Sequence, residues 1–290
     1  AQALAEVGLP EGVVNVVFGA PEAVARRLLA SPVIRLLTFT GATSVGRQLG
    51  AAAAQSLKKA VLELGGHAPV LVAADADPVA VARGGVLAKY RSAGQICTSP
   101  TRFYVHRSIH AQFVDAFVAA TEALVVGDPF DPATQMGPLQ NADRVAAMQR
   151  MVADCESRGV APKTGGKPLE GPGHFFAPTV IAEPPPDCLA MNEEPFGPLA
   201  LLAPVDSLEQ GIAAANRLPY GLAAYGFTHE LATAERLSSQ IEAGNVSINH
   251  WVVSWAETPF GGMRDSGLGY EGGIEGIQAF QRLKFVSQAS

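Results

Sequence analysis

Apolar residues recur along this chain with two different periods, and the switches between them mark out its elements. Short β-branched or leucine-rich runs, VVNVVFG (13–19), RLLTFTG (35–41), KKAVLEL (58–64) and PVLVAA (69–74), read as strands. Between them, PEAVARRLLA (21–30) and TSVGRQLGAAAAQSL (43–57) carry apolar residues at helical spacing, the first with proline at its opening position. Strands alternating with helices at this pitch predict an α/β chain of βαβ units, with a parallel sheet and right-handed crossovers. Asp77-Pro78 then opens a helix running to about Ser92 and stopped by Gly94. RFYVH (102–106) reads as a strand, and the helix over 110–125 places Phe113, Phe117 and Leu124 on one face. Helices follow at 141–158, from a Ser207/Gln210 capping box to Asn216, and at 230–242, with strands at 244–249 and 282–287. The tract 162–178 reads as loop or hairpin.

The opening AQALAEVGLPEGV has no charged n-region and looks like the end of a helix closed by Gly8, with Pro10 beyond it. A chain that begins inside a helix is expected to be a fragment.

Composition narrows the function classes. With 290 residues, 48% of them hydrophobic and 17% charged, the chain suits one large globular domain or two. A net charge of −6 and the lack of any long Lys/Arg block argue against nucleic acid or an anionic membrane as partner. No apolar run approaches the roughly 18 residues of a membrane span. The three cysteines, Cys97, Cys155 and Cys188, form no CxxC pair, and His106 and His110 have no acid between them. A disulfide framework and a metal site are therefore not expected, and a reducing cytoplasm fits.

Four stretches could carry chemistry. In KYRSAGQICTSP (89–100), Cys97 is either a nucleophile at a helix end or a small buried hydrophobe, the ordinary state of a free cysteine. FTGATSVG (39–46) puts Gly41 at a strand-to-helix junction, suited to a dinucleotide phosphate or simply to a tight turn. In LELGGH (62–67), Glu63 ends an apolar strand before two glycines, as a general base or as a surface acid. MNEEPFGP (191–198) and ETPFGG (257–262) read as a solvated acidic turn and a hydrophobic plug, or as ligand-facing loops.

Their order decides more than any one of them. FTG with a following glycine, LELGG, GQxC, EExFGP, PFGG and the downstream Ser266-Gly267-Leu268-Gly269 together resemble the NAD(P)-dependent aldehyde dehydrogenase superfamily over essentially the whole chain. The resemblance implies that the Cys97 thiolate attacks the aldehyde, that hydride passes to NAD or NADP, and that Glu63 activates water to hydrolyse the thioester. Thr40, Gly41, Gly46, Leu64, Glu194 and Phe196 fall on the cofactor side, with Glu194 on the nicotinamide ribose. Arg91, Ser254 and Phe260 fall on the substrate side, and Arg91 matches the arginine with which semialdehyde dehydrogenases bind a distal carboxylate. By Glu63 the chain resembles the hydrolytic rather than the CoA-acylating branch.

The implied architecture is a partial Rossmann-like cofactor domain (1–64), an α/β catalytic domain (65–265), then a return segment and oligomerisation strand (266–290), in a homodimer or homotetramer. Two departures stand out. Ala42 replaces the serine that often follows the FTG glycine, and the family's upstream asparagine, which completes the oxyanion hole, and upstream lysine, which contacts the adenosine ribose, have no counterpart. Losing one oxyanion donor costs about 10²–10³ in rate, so the isolated piece is expected to be inactive. Trp251 and Trp255 suggest an aromatic-lined mouth, which would equally suit an uncharged aldehyde. A thiol esterase or a non-catalytic relative would keep the fold without the redox step.

Overall fold

A computed structural model of the chain describes residues 2–289. Two helices, α1 (Gln2–Glu6) and α2 (Pro21–Ala30), precede β1 (Leu36–Thr40), α3 (Thr43–Gln55) and β2 (Lys59–Glu63). Then come β3 (Pro69–Val72), α4 (Pro78–Tyr90), β4 (Arg102–His106), α5 (Arg107–Glu122), α6 (Ala142–Ser157) and β5 (Thr179–Ala182). α7 (Leu189–Asn192), β6 (Leu199–Val205), α8 (Leu208–Asn216), β7 (Tyr220–Gly221), β8 (Ala223–Phe227), α9 (Leu231–Gln240) and β9 (Asn245–Ile248) continue the chain. β10 (Met263–Arg264), β11 (Gly267–Leu268) and α10 (Gly273–Ala279) close it.

Six strands form one sheet in the order β5-β6-β4-β3-β8-β9, every neighbouring pair parallel. Helices on both faces bury a parallel sheet completely, so its strands read as unbroken apolar runs. β3, β5 and β8 are buried at every position. β1 and β2 pair in parallel in a separate three-stranded sheet, and β11 returns from the far end of the sequence to lie antiparallel against β2, Gly267 opposite Glu63. The segment 64–68 between β2 and β3 is wholly buried and carries the chain from one sheet to the other.

Local signals explain most boundaries. The Asp77 side chain accepts from Val79 N and Ala80 N at 2.9 and 3.1 Å and starts α4. Ser207 Oγ accepts from Gln210 N at 3.2 Å at the head of α8. α1 ends at left-handed Gly8 (φ 85°). Phe113 and Phe117 of α5 are fully buried against Phe103, the closest ring pair 5.1 Å apart. Gly84 and Gly85 of α4 make room for Trp251, whose Nε1 lies 2.5 Å from where a Gly84 Cβ would stand. Trp251 is thus a core aromatic, 4.5 Å from the Phe227 ring and 5.3 Å from Tyr225, and does not line a mouth with exposed Trp255.

Two expected strands are absent among the described residues. Residues 13–19 and 282–287 are irregular, with Phe18 and Leu283 among the exposed side chains. A strand needs a neighbour for its N–H and C=O groups, and none pairs with either segment. Their β-branched composition supplies propensity without a partner. Conversely, β5, β6, β8 and α10 were not anticipated; β8 is AAYGF, rich in poor strand formers held by burial between β3 and β9. Among the described residues no helix is long and apolar enough to cross a membrane, and no group of three or more His, Cys, Asp or Glu could hold a metal ion.

Candidate active site

Cys97 lies on the loop between α4 and β4. The chain leaves α4 through one tight turn, Arg91–Gly94, in which Ser92, Ala93 and Gly94 are all left-handed (φ 51°, 54° and 71°). Gly94 is required there, since a Cβ would stand 2.3 Å from Gly197 O. Gln95 braces the turn, donating to Ser92 O at 3.2 Å and accepting from Gln140 N at 2.9 Å. Tyr225 of β8 donates from its hydroxyl to Thr98 O at 2.8 Å, just beyond the thiol.

The Cys97 thiol donates to Glu63 Oε1 at 3.1 Å. Glu63 stands at the carboxyl end of β2, only 8% exposed, and its other oxygen accepts from Thr40 Oγ1 at 3.4 Å. Burial pushes the thiol up to about 12, helped by the hydrogen bond to Glu63 and by the negative charges of Glu63 and Glu194. The resting sulfur is therefore protonated, with a carboxylate in place to receive the proton when the sulfur attacks. Glu271, on the loop after β11, sits beside Glu63, and its backbone is tied to Phe260 by two hydrogen bonds of 2.7 Å. Burial first, and then the neighbouring Glu63 carboxylate, raise the Glu271 carboxyl above its usual range.

Across the crevice, Glu194 Oε1 accepts from Gly66 N at 3.0 Å. Burial raises its carboxyl, while the Gly66 hydrogen bond and the charges of Arg144 and Lys89 oppose the rise. Both glycines of LELGG are dictated by these contacts. A Cβ on Gly65 would meet Glu194 Oε2 at 2.5 Å, and one on Gly66 would meet Cys97 O at 2.7 Å. Ser266, fully buried, donates to Gly65 O at 2.7 Å and accepts from Gly221 N at 3.0 Å, so the SGLG motif pins the same segment. Arg102, also buried, holds its other end by donating to His67 O at 2.9 Å. Arg144 donates to Pro195 O, and Phe196 beside it is left-handed (φ 43°) and half-buried.

The structure places the remaining candidates unevenly. Gly41 N donates to Glu63 O at 3.0 Å, and the first turn of α3 beyond it has no side-chain cap; Val45 N turns back to Ala42 O at 3.0 Å, so the Thr43 and Ser44 amides are the ones that could meet an anion. Gly46 and Leu64 pack against each other; a Cβ on Gly46 would meet Leu64 Cδ2 at 2.2 Å, so this pair seats α3 beside the end of β2. Arg91 is exposed at the end of α4, and its charge opposes the rise that burial imposes on the Tyr225 hydroxyl. Half-buried Phe260 lies on the Glu271 side, while Ser254 is exposed on the loop after β9 and has no hydrogen bond into the crevice. Sequence reasoning missed Glu271 and Tyr225. An acid two residues after SGLG was the available signal for Glu271, and nothing local marked Tyr225.

Comparison with known proteins gives the family. A 4-(hydroxymethyl)benzenesulfonate dehydrogenase of Comamonas testosteroni is 48% identical over 278 residues, covering 96% of this chain and 58% of the relative. A glutarate-semialdehyde dehydrogenase of Pseudomonas aeruginosa is 40% identical, covering 99% of this chain and 60% of that protein. The crystal structure of a succinate-semialdehyde dehydrogenase from Burkholderia pseudomallei, 40% identical, matches with a TM-score of 0.93 over 96% of this chain and 58% of its own. The chain thus spans about three fifths of the length of these relatives. The profile of the Aldehyde dehydrogenase family matches residues 1–286, the interval that contains the thiol, both crevice carboxylates and the glycines that seat them, and the chain belongs to that family.

Proposed function

We propose that the whole protein oxidises an aldehyde with a remote anionic group to the carboxylic acid, using NAD or NADP. The single observation that carries this reading is the 3.1 Å hydrogen bond from the Cys97 thiol to Glu63, a nucleophile and a base brought together from two sheets. Attack of the sulfur on the aldehyde carbon passes the thiol proton to Glu63 and forms a thiohemiacetal. A bound nicotinamide cofactor would supply the hydride acceptor that turns this adduct into a thioester. Glu63, once it has released the thiol proton to solvent, takes a proton from the water that attacks the thioester and passes it to the departing sulfur, which frees the acid and restores the Cys97 thiol.

The residues present fit a dinucleotide. The uncapped first turn of α3 after Gly41 offers amide donors to its phosphates, with Thr40 alongside. Glu194 offers a half-buried carboxylate to ribose hydroxyls, in a cradle that a Gly65 Cβ would fill. Phe196 and Phe260 supply apolar walls.

For the substrate, relatives named for a benzenesulfonate, glutarate semialdehyde and succinate semialdehyde share one chemistry, an anion remote from the oxidised carbon. Arg91, six residues before Cys97 and acting electrostatically on Tyr225, supports a guanidinium clamp for that anion, with Ser254 as a further hydroxyl on the same side. The test is Arg91→Ala in the full-length protein. kcat/KM for an anionic aldehyde should fall about 10–100-fold and that for an uncharged aldehyde about twofold or less. An equal fall for both sinks the anion reading and leaves aldehyde oxidation standing.

The division into cofactor (1–64), catalytic (65–265) and return (266–290) segments belongs to the same proposal. It is supported by the crossing at 64–68 and by β11 returning to β2. So does assembly as a cytoplasmic homodimer or homotetramer, supported by exposed Ile274, Ile277, Phe280, Leu283 and Phe285 near the end of the chain. Light scattering on the full-length protein checks the assembly.

A further inference from the structure

Lys89 takes no part in the chemistry above, yet its burial is costly. It lies in the last turn of α4 and is 1% exposed, and an ammonium group removed from water needs partners. Its Nζ donates to two hydroxyls, Ser99 Oγ at 3.2 Å and Thr101 Oγ1 at 3.3 Å. Each hydroxyl already spends its own proton, Ser99 Oγ on Lys89 O at 3.3 Å and Thr101 Oγ1 on Ser99 O at 2.9 Å. Only their lone pairs face the amine, so the arrangement needs a donor there. Burial brings the ammonium down to about 7, against the pull of Glu194. A methionine would fill similar space without that cost.

What the amine holds is the loop of the nucleophile. Ser99 and Thr101 stand two and four residues beyond Cys97, on the arm that runs into β4. On the other arm, Lys89 Nζ comes within 3.2 Å of where a Gly94 Cβ would stand, under the left-handed turn Ser92-Ala93-Gly94. One side chain therefore underlies both arms, the strained entry and the hydroxyl-bearing exit.

We infer that Lys89 is a positioning residue: by holding Ser99 and Thr101 from beneath the loop, it keeps the Cys97 thiol against Glu63. This rests on reading Cys97 as the nucleophile.

The test uses the full-length protein and two readouts. Alkylation of Cys97 by iodoacetamide at neutral pH, followed by mass spectrometry, reports thiol placement without substrate or cofactor. kcat and KM for the aldehyde report turnover. Lys89→Met removes the donor, Thr101→Val removes one acceptor at constant shape, and Thr101→Ser keeps it. Loosening the loop takes the thiol away from Glu63, which frees it for alkylation while spoiling its aim at substrate. Lys89→Met and Thr101→Val should therefore alkylate about fivefold faster yet turn over about tenfold more slowly at unchanged KM. Thr101→Ser should stay within about twofold of the parent, and the Lys89→Met/Thr101→Val double variant should be no worse than Lys89→Met alone. Parental alkylation and turnover in both Lys89→Met and Thr101→Val would overturn the inference. If Lys89→Met does not fold, the contrast between Thr101→Val and Thr101→Ser decides in the same terms. If the parent reduces no NAD(P)+ with any aldehyde, the functional proposal fails, while the alkylation contrast still decides the role of Lys89.

Discussion

Along β3, β5 and β8 every side chain is buried, whereas β1 is nowhere fully buried and β2 passes from an exposed Lys59 to a buried Glu63. The first group belongs to a six-stranded sheet covered on both faces, the second to a three-stranded sheet closed on one side by β11. Each sheet contributes one group of the proposed catalytic pair. Glu63 ends β2, and Cys97 sits on the loop leading into β4, so the pair exists only where the sheets meet. The large sheet supplies rigidity, and the small one supplies a carboxylate carried to a buried point. The contacts that fasten the two together keep the thiol and the carboxylate within reach of each other.

Substitutions that break the pair, or only loosen the seam, separate these contributions. The largest effect belongs to Cys97→Ser, which removes the nucleophile and should lower turnover by a factor on the order of 10⁴–10⁶ with the fold intact. Glu63→Gln comes next, lowering turnover about 10²–10⁴-fold. It should also shift Cys97 alkylation toward lower pH, because the hydrogen bond and charge of Glu63 are among the influences that hold the thiol high. Gly65→Ala acts on the cofactor side, where a Cβ would stand 2.5 Å from Glu194 Oε2. KM for NAD(P)+ should rise about tenfold while Cys97 alkylation stays parental; a change confined to alkylation would mean that Gly65 serves the thiol instead. Ser266→Ala has the smallest effect. It leaves Gly221 N–H without its acceptor inside the seam and should cost about 1–3 kcal/mol in a denaturant melt, with little loss of kcat.

The site was largely legible in the sequence because its backbone constraints are written in glycines and motif order. LELGGH, GQIC and EEPFGP each place a side chain on a strand end or tight turn, and the observed contacts join them. Helix starts at Asp77 and Ser207 were legible for the same reason, each being a local hydrogen-bond pattern. What could not be read depends on distant partners. Residues 13–19 and 282–287 have strand composition but no strand beside them, while Ala- and Gly-rich β8 is a strand only because β3 and β9 flank it. Tyr225 reaches Thr98 across 127 positions of sequence, and Glu271 meets Glu63 only through the return of β11. Gly46 fitted a phosphate-binding pattern, yet the structure packs it against Leu64, a requirement that leaves the same trace in sequence.

The central claim is that Cys97 carries the substrate and Glu63 releases it. The most direct measurement is intact-protein and peptide mass spectrometry of full-length Glu63→Gln after mixing with an anionic aldehyde and NAD(P)+. The account predicts an acyl group on the peptide that contains Cys97, formed with one equivalent of reduced nicotinamide, more slowly than in the parent because the thiol has lost its proton acceptor, and slower still to leave. Turnover at the parental rate with no acyl-Cys97, or an acyl group on another residue, would contradict it.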